Sequence, residues 1–245
     1  MIISRTLLTT RRILQQVRHD HRTIALIILV PTVLMGLLSW MLSDVPDAFN
    51  QWGGPLLGIF PLIVMFLITS VATLRERTSG TLERLMVSPI RKSEFISAYA
   101  IAFSLLGALQ ALIAALVSIN IYGLDTKGHT SAIILVAVID AVMGTALGLL
   151  ASSMARTEFQ AVQFMPVFLI PQFLLGGFIV DRDSLPNLLN LLSDLMPLSY
   201  SIDALNIALS DQSLGGQYWE NILIVLAIVL SALILGGLTL PRSSR

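Results

Sequence analysis

Residues 75–94 read RERTSGTLERLMVSPIRKSE, a charged stretch set between two apolar runs that are each long enough to cross a bilayer. That placement makes the segment a loop on one side of a membrane, and the composition agrees. With 55% hydrophobic residues, 12% charged residues and a mean hydropathy of +0.83, a 245-residue chain lacks the polar surface to cover a water-soluble fold. The absence of cysteine excludes disulfides, thiolate catalysis and cysteine metal sites. The net charge of zero is uninformative, because the basic residues are concentrated in a few connecting segments.

A membrane-crossing helix needs about 20 mainly apolar residues, since about 30 Å of hydrocarbon is crossed at about 1.5 Å per residue. Six segments meet this requirement: 23–42, 56–74, 95–122, 131–154, 160–180 and 221–240. The expected fold is therefore all-α, a polytopic membrane protein with six transmembrane helices. Basic residues are retained preferentially in cytoplasmic loops. With the amino terminus inside, 13 of the 15 Lys and Arg residues fall on the cytoplasmic side, leaving only Lys127 and Arg182 outside. Both termini are thus expected in the cytoplasm. The first apolar run follows Arg5, Arg11, Arg12, Arg18 and Arg22, so no cleavable signal peptide is expected.

Within residues 1–22, Ile3, Leu7, Leu14 and Val17 recur at helical spacing while the arginines take other faces. The pattern predicts an amphipathic helix lying in the cytoplasmic interface; a frayed basic tail that merely sets topology is the plainer reading. In the charged segment, Thr78 and Ser79 precede a short predicted helix with Glu83 placed to answer a capping hydroxyl, and Pro89 ends it. Leu82, Leu85 and Met86 share one side of this helix, ringed by charge. A small apolar knob of that kind suits a groove on another protein, although an ordinary solvated loop fits the composition equally well.

Residues 181–219 are too long for a tight turn and apolar enough to stay at the membrane. Leu185, Leu188, Leu192 and Leu195 form one face opposite Asn187, Asn190 and Asp194. Pro197 is expected to stop this helix, and Ser199 or Ser201 to cap a second one carrying Ile202, Leu205 and Leu209. Such a helical hairpin would dip into the outer leaflet as an interfacial or re-entrant element.

Two of these stretches resemble type-2 ABC transporter permeases, the ABC-2 family. In LRERTSGTLERLMVSP the likeness is carried by Arg75 and Glu76, then Gly80, Thr81, Leu82 and Glu83, then Leu85, Met86, Ser88 and Pro89. In the external stretch it is carried by Gly176, Gly177 and Phe178, then Leu185 and Pro186, then Met196 to Tyr200, and Asp203 and Ala204. The closest flavour is that of small bacterial daunorubicin-resistance-type drug exporters. The resemblance implies that residues 23–245 form the ABC-2 transmembrane domain and that the 75–94 segment couples to an ATP-binding subunit. The coupling residues would be Arg75, Glu76, Gly80, Thr81, Leu82, Glu83, Leu85, Met86 and Pro89.

Polar residues inside the spans are candidates for a translocation path. Asp140 lies mid-span, where an ionised carboxylate is costly unless it faces water, a partner or the bundle interior. It repeats at four-residue spacing with Gly144, Gly148 and Ser152, a small-residue seam that predicts close packing on another helix. Ser104, Ala108, Ala111, Ala115 and Ser118 form a similar stripe on the third span. In the fifth span Gln163, Pro166, Pro171 and Gln172 interrupt an apolar helix, and freed carbonyls there need partners or a water-lined cavity. Phe164, Phe168 and Phe173 lie nearby. Asp140, Gln163, Phe168, Gln172 and Phe173 are the path candidates, with packing as the alternative for Asp140 and lipid contact for the aromatics.

No GxxxxGK[ST] loop is present, so ATP phosphates are not expected to bind in the usual way on this chain. His19, His21 and His129 fall outside the spans without HExxH or a carboxylate cluster, which disfavours a metalloprotease or a Ser-His hydrolase. No nucleic-acid surface is expected either. The resemblance implies a non-enzymatic permease subunit in the bacterial cytoplasmic membrane, exporting a hydrophobic or amphipathic drug or lipid. Its partners would be two ATP-binding subunits carrying ATP and Mg, a second permease subunit (identical or related) and membrane lipid. The competing reading is an ion-coupled secondary transporter using Asp140.

Overall fold

In the computed structural model, residues 2–45, 47–78, 92–127, 129–210 and 213–239 are described. They form nine α-helices and one 3-10 turn, without strands. The helices are α1 (Ile2–His19), α2 (His21–Met41), α3 (Ala48–Thr78), α4 (Lys92–Asn120), α5 (Thr130–Met154), α6 (Glu158–Leu175), α7 (Asn187–Ser193), α8 (Pro197–Leu209) and α9 (Gly216–Thr239), with the 3-10 turn at Arg182–Ser184. Among them α2, α3, α4, α5, α6 and α9 are long and apolar enough to cross a membrane. The chain is all-helical, as expected. One end of the bundle gathers Arg12, Arg75, Arg77 and Arg156 and is called here the basic end. The other, with Asp125, Asp194 and Asp203, is the acidic end.

The core is the contact between α3 and α5, which both run from the acidic to the basic end. Asp140, Gly144 and Gly148 on α5 face Gly58, Leu62 and Phe66 on α3, so both helices advance four residues per contact. A Cβ on Gly144 would collide with the Leu62 carbonyl oxygen, and one on Gly148 would lie 2.7 Å from the Phe66 carbonyl oxygen. Only glycine lets the two backbones approach this far. In a solvent as apolar as the side chains, helices associate through such close packing rather than through a hydrophobic effect. The predicted seam therefore packs within the chain, against α3. The stripe on α4 is buried at Ala111, Ala115 and Ser118 but only half-buried at Ser104 and Ala108. Gly107 brings α4 against Ala141 and Met65, each 3.1 Å from where its Cβ would stand.

Helix ends differ from the expected ones for local reasons. The α3 helix covers 31 residues, starting at Ala48 rather than 56 and running on to Thr78, so Arg75 to Thr78 belong to it and not to a loop. Its polar and glycine-rich first turns, NQWGGP, hid the start. At about 1.5 Å per residue it is about 46 Å long and outlasts the hydrocarbon at both ends. The α6 helix stops at Leu175, five residues before the expected end, because Gly177 adopts φ +83 and turns the chain. Pro166 and Pro171 do not divide it.

The face of α1 that packs on the bundle centres on threonines, with Leu14 and Val17 partly buried beside them. Thr6, Thr9, Thr10 and Ile13 are buried, whereas Leu7 is 56% and Leu8 66% exposed. Thr9 and Thr10 donate to the carbonyls of Arg5 and Thr6 (3.0 and 2.9 Å), and Thr10 also reaches the Ala98 carbonyl at 3.3 Å. Hydroxyls satisfied on their own helix can pack closely on α4, and Leu7 and Leu8 face outward. In the 181–219 stretch, α7 ends at Ser193 before Pro197 is reached. Pro197 starts α8 instead, with Met196 as the N-cap, so neither Ser199 nor Ser201 caps that helix. Proline suits a first helical position because its missing N–H has no partner to lose there.

Because Leu62 presents backbone rather than a yielding side chain to Gly144, Gly144→Val forces the helices apart. We expect a loss of about 1–3 kcal/mol or more, read as a lowered unfolding temperature of the detergent-solubilised chain. Gly216→Ala, where a Cβ would meet nothing within 4 Å, leaves that temperature unchanged.

Candidate functional site

The last turn of α3 is held by three neighbouring helices. Arg12 on α1 donates to Glu76 at 2.9 Å. Arg75 makes a two-pronged pair with Glu158 at the start of α6, at 3.0 and 3.1 Å. Arg77 donates to the carbonyl of Ser152, one of the unpaired acceptors in the last turn of α5, where a cation also meets the negative end of the helix dipole. The Arg75–Glu158 pair is largely exposed (67% and 49%), so it is worth at most about 1 kcal/mol. Arg12–Glu76 is the more enclosed pair (33% and 15%). Two of the coupling candidates, Arg75 and Glu76, are thus engaged within the chain, while Gly80, Thr81, Leu82, Glu83, Leu85, Met86 and Pro89 lie outside the described residues.

Above this cluster lies a cavity of about 520 Å³ bounded by α1, α2, α3, α4 and α6. Its walls are apolar, with Leu26, Leu67, Ile68, Val71, Phe103 and Val162 prominent, and its rim is polar, with Asp20, Arg75 and Glu76. Asp20 is fixed as the N-cap of α2. It accepts from the Thr23 amide at 3.2 Å and the Thr23 hydroxyl at 2.6 Å, which hold its carboxylate below the ordinary value. None of the five path candidates borders this cavity. Asp20 was missed in the sequence although an Asp directly before an apolar run, with Thr three residues on, is a legible N-cap signal.

The five path candidates are scattered. Asp140 is fully buried where α5, α3 and α8 meet; Ser201 of α8 donates to one of its carboxylate oxygens, and the other lies against Gly58. Gln163 is exposed on the outer side of α6. Gln172 is buried and bridges two elements. Its amide nitrogen donates to the Phe168 carbonyl at 2.7 Å, and its oxygen accepts from the Leu198 amide at 3.3 Å, satisfying an orphan donor at the start of α8. Phe168 packs at 6.0 Å from Phe66, and Phe173 at 4.7 Å from Phe178, which meets Trp52 at 5.2 Å. The residues thus serve α6 and α8 in separate places.

At the acidic end Arg182 organises the segment between α6 and α9. Its guanidinium bonds Asp203 and Asp194, both at 2.5 Å, and Ser193 at 2.9 Å, and it stands 5.3 Å over the Tyr200 ring. Burial pulls the guanidinium down, and the two carboxylates outweigh that, so it sits above its ordinary value. Tyr200 donates to the Asp194 carbonyl at 2.8 Å. Pro186 is the N-cap of α7, and Gly176 ends α6. Asn190 and Ser193 of α7 turn toward Arg182, while Asn187 and Leu188 are exposed, as is Leu195 beyond the helix end.

A profile of the family described as ABC-2 type transporter matches residues 5–209, from α1 to the last residue of α8. The chain belongs to the ABC-2 type transporter family. It is 27% identical over 188 residues to "Probable multidrug ABC transporter permease YbhS" of Escherichia coli (strain K12), covering 76% of this chain and 49% of that protein. Similarity to the protein named YbhR of the same organism is 29% over 174 residues, covering 71% and 47% respectively. A third relative, "ABC transporter G family member 20" of Dictyostelium discoideum, is 26% identical over 168 residues, 68% of this chain and 23% of its own length. The chain spans about half the length of the Escherichia coli relatives it matches. As an ABC-2 member with six membrane-length helices it is a multi-pass membrane protein.

In this ABC-2 chain Arg182→Gln would leave Asp194 and Asp203 facing each other without their shared cation. The expected cost is about 1–3 kcal/mol, measured by thermal unfolding in detergent. Asp194→Asn, at a side chain 50% exposed, is expected to cost under about 1 kcal/mol in the same measurement.

Proposed function

We propose that this chain is the transmembrane permease subunit of an ATP-driven exporter of hydrophobic or amphipathic compounds. The observation that carries the proposal is the amphipathic cavity at the basic end, directly beside the last turn of α3, from which the 75–94 segment departs. Two Escherichia coli relatives bear the name of multidrug ABC transporter permeases, which supports the same cargo class. In this reading two ATP-binding subunits, each with ATP and Mg, grip the segment containing Glu83 and Leu85. A second permease subunit, identical or related, completes the path. The distribution of arginines puts the basic end in the cytoplasm of a bacterial inner membrane, with α1 in the interface and α7–α8 entering from outside. The buried position of Ser201 against Asp140, about 15 Å along α5 from its start, suits such a re-entrant helix.

The ion-coupled alternative gives way to family membership. Asp140 instead acts as a positioning group for α8, through Ser201.

The test is reconstitution in liposomes with candidate ATP-binding subunits and an amphipathic dye. Flux requires the ATPase. Glu83→Ala with Leu85→Ala is expected to lower flux at least about tenfold, equivalent to about 1.4 kcal/mol of coupling, while hydrolysis continues. Asp140→Asn keeps an acceptor for Ser201 and is expected to retain flux. Full transport without any ATPase, or loss of flux in Asp140→Asn at unchanged unfolding temperature, would return the ion-coupled mechanism.

A further inference from the structure

The cavity at the basic end has a chemistry more specific than amphipathic. Its volume of about 520 Å³ falls within the range of about 300–1,000 Å³ typical of small-molecule sites. Its rim carries charge of both signs, but the charges are not equally committed. Arg75 is bound through two nitrogens by Glu158, and Glu76 by Arg12. Asp20 feels the charge of Arg75 across the mouth, yet its hydrogen bonds come from neutral donors, chiefly the amide and hydroxyl of Thr23. Among the described residues no basic group lies within 4 Å of Asp20. Arg22, in the same turn, is exposed, makes no direct ion pair with Asp20, and still acts on it through its charge and its backbone amide. Of the rim carboxylates and their partners, Glu76 and Glu158 are each tied directly to a guanidinium and Asp20 is not.

We propose that this cavity takes a cationic amphiphile, with the cation at Asp20 and the apolar body against Leu67, Ile68, Val71 and Phe103. The assignment rests on the permease reading of the same cavity and names the class of cargo. Low-dielectric walls on several sides focus the field of a carboxylate at the rim and raise the local concentration of its counter-ion. An anionic amphiphile meets the same carboxylate unfavourably, and the one guanidinium on the rim is already paired with Glu158. Asp20 is fixed by its capping role, so the charge is presented in a defined place rather than on a mobile side chain.

A pair of hydrophobic ions of nearly equal size and opposite charge, tetraphenylphosphonium and tetraphenylborate, separates charge from apolarity. Binding to the full chain in phosphatidylcholine nanodiscs is measured by equilibrium dialysis, with empty nanodiscs subtracted. Tetraphenylphosphonium is expected to bind saturably. Asp20→Asn keeps the side-chain acceptor that caps α2, removes the charge, and is expected to weaken tetraphenylphosphonium about three- to tenfold, the size of one partly screened charge contact, while strengthening tetraphenylborate. Val71→Trp, filling the cavity, is expected to remove saturable binding of both ions at an unfolding temperature close to that of the parent chain. Equal binding of the two ions, or indifference of both to Asp20→Asn, overturns the cationic assignment. If Val71→Trp still blocks them, the cavity stays a cargo site and the permease reading survives. Displacement of tetraphenylphosphonium by phosphatidylglycerol in the nanodisc would assign the cavity to an anionic lipid headgroup and overturn the proposal. Should Val71→Trp fail to fold, the response of the two ions to Asp20→Asn decides alone.

Discussion

Backbone-to-backbone contact between α3 and α5 is the constraint on which the bundle depends. Leu62 and Phe66 offer carbonyl oxygens to Gly144 and Gly148, and each glycine Cα–H occupies the place where a Cβ would collide. Such contacts are weak one by one, about 0.5–1 kcal/mol. Their importance is geometric, because they fix a register that cannot slide without driving a side chain into a carbonyl. The same register sets Asp140 against Gly58 and so decides where α8 can anchor, through Ser201.

Once that register is set, several polar groups inside the apolar bundle hold elements together. Gln172 links α6 to the first turn of α8, Ser201 links α8 to α5, and Arg182 ties α7 and α8 to the turn before them. In hydrocarbon an unsatisfied amide or hydroxyl costs several kcal/mol, so a short helix such as α8 can sit among the spans only where each of its exposed polar groups finds a partner. Polarity in a span is therefore a poor guide to transport on its own. Gln172, a residue type unusual in a span, caps the first turn of α8.

The six spans and the all-helical class were legible because hydropathy over about 20 residues reports directly on the bilayer. The α3–α5 seam was legible too, since small residues every four positions leave few alternatives to close helix contact. Three things were not. Where a helix outruns the membrane, as α3 does from Ala48 and on to Thr78, no change in apolarity marks the end. The face on which α1 packs left no sequence signal because Thr9 and Thr10 satisfy their hydroxyls on their own helix and then pack as small apolar groups would. The cavity was invisible because its lining comes from five helices far apart in sequence, and only Asp20 among its rim residues leaves a local trace.

The two sides of α3 have different duties. Leu62, Phe66 and Ser70 lie on one face, against α5, and Leu67, Ile68, Val71 and Arg75 lie about half a turn away, on the cavity. A displacement applied at the Thr78 end therefore cannot be absorbed by sliding along α5, whose glycines hold the register, and α3 and α5 must move as one body. On the opposite face α3 meets α1 through the ion pair Arg12–Glu76, and α6 through Arg75–Glu158 together with apolar contacts such as Phe66–Phe168. Ion pairs at a half-exposed rim can be broken and remade at small cost, whereas a glycine seam cannot.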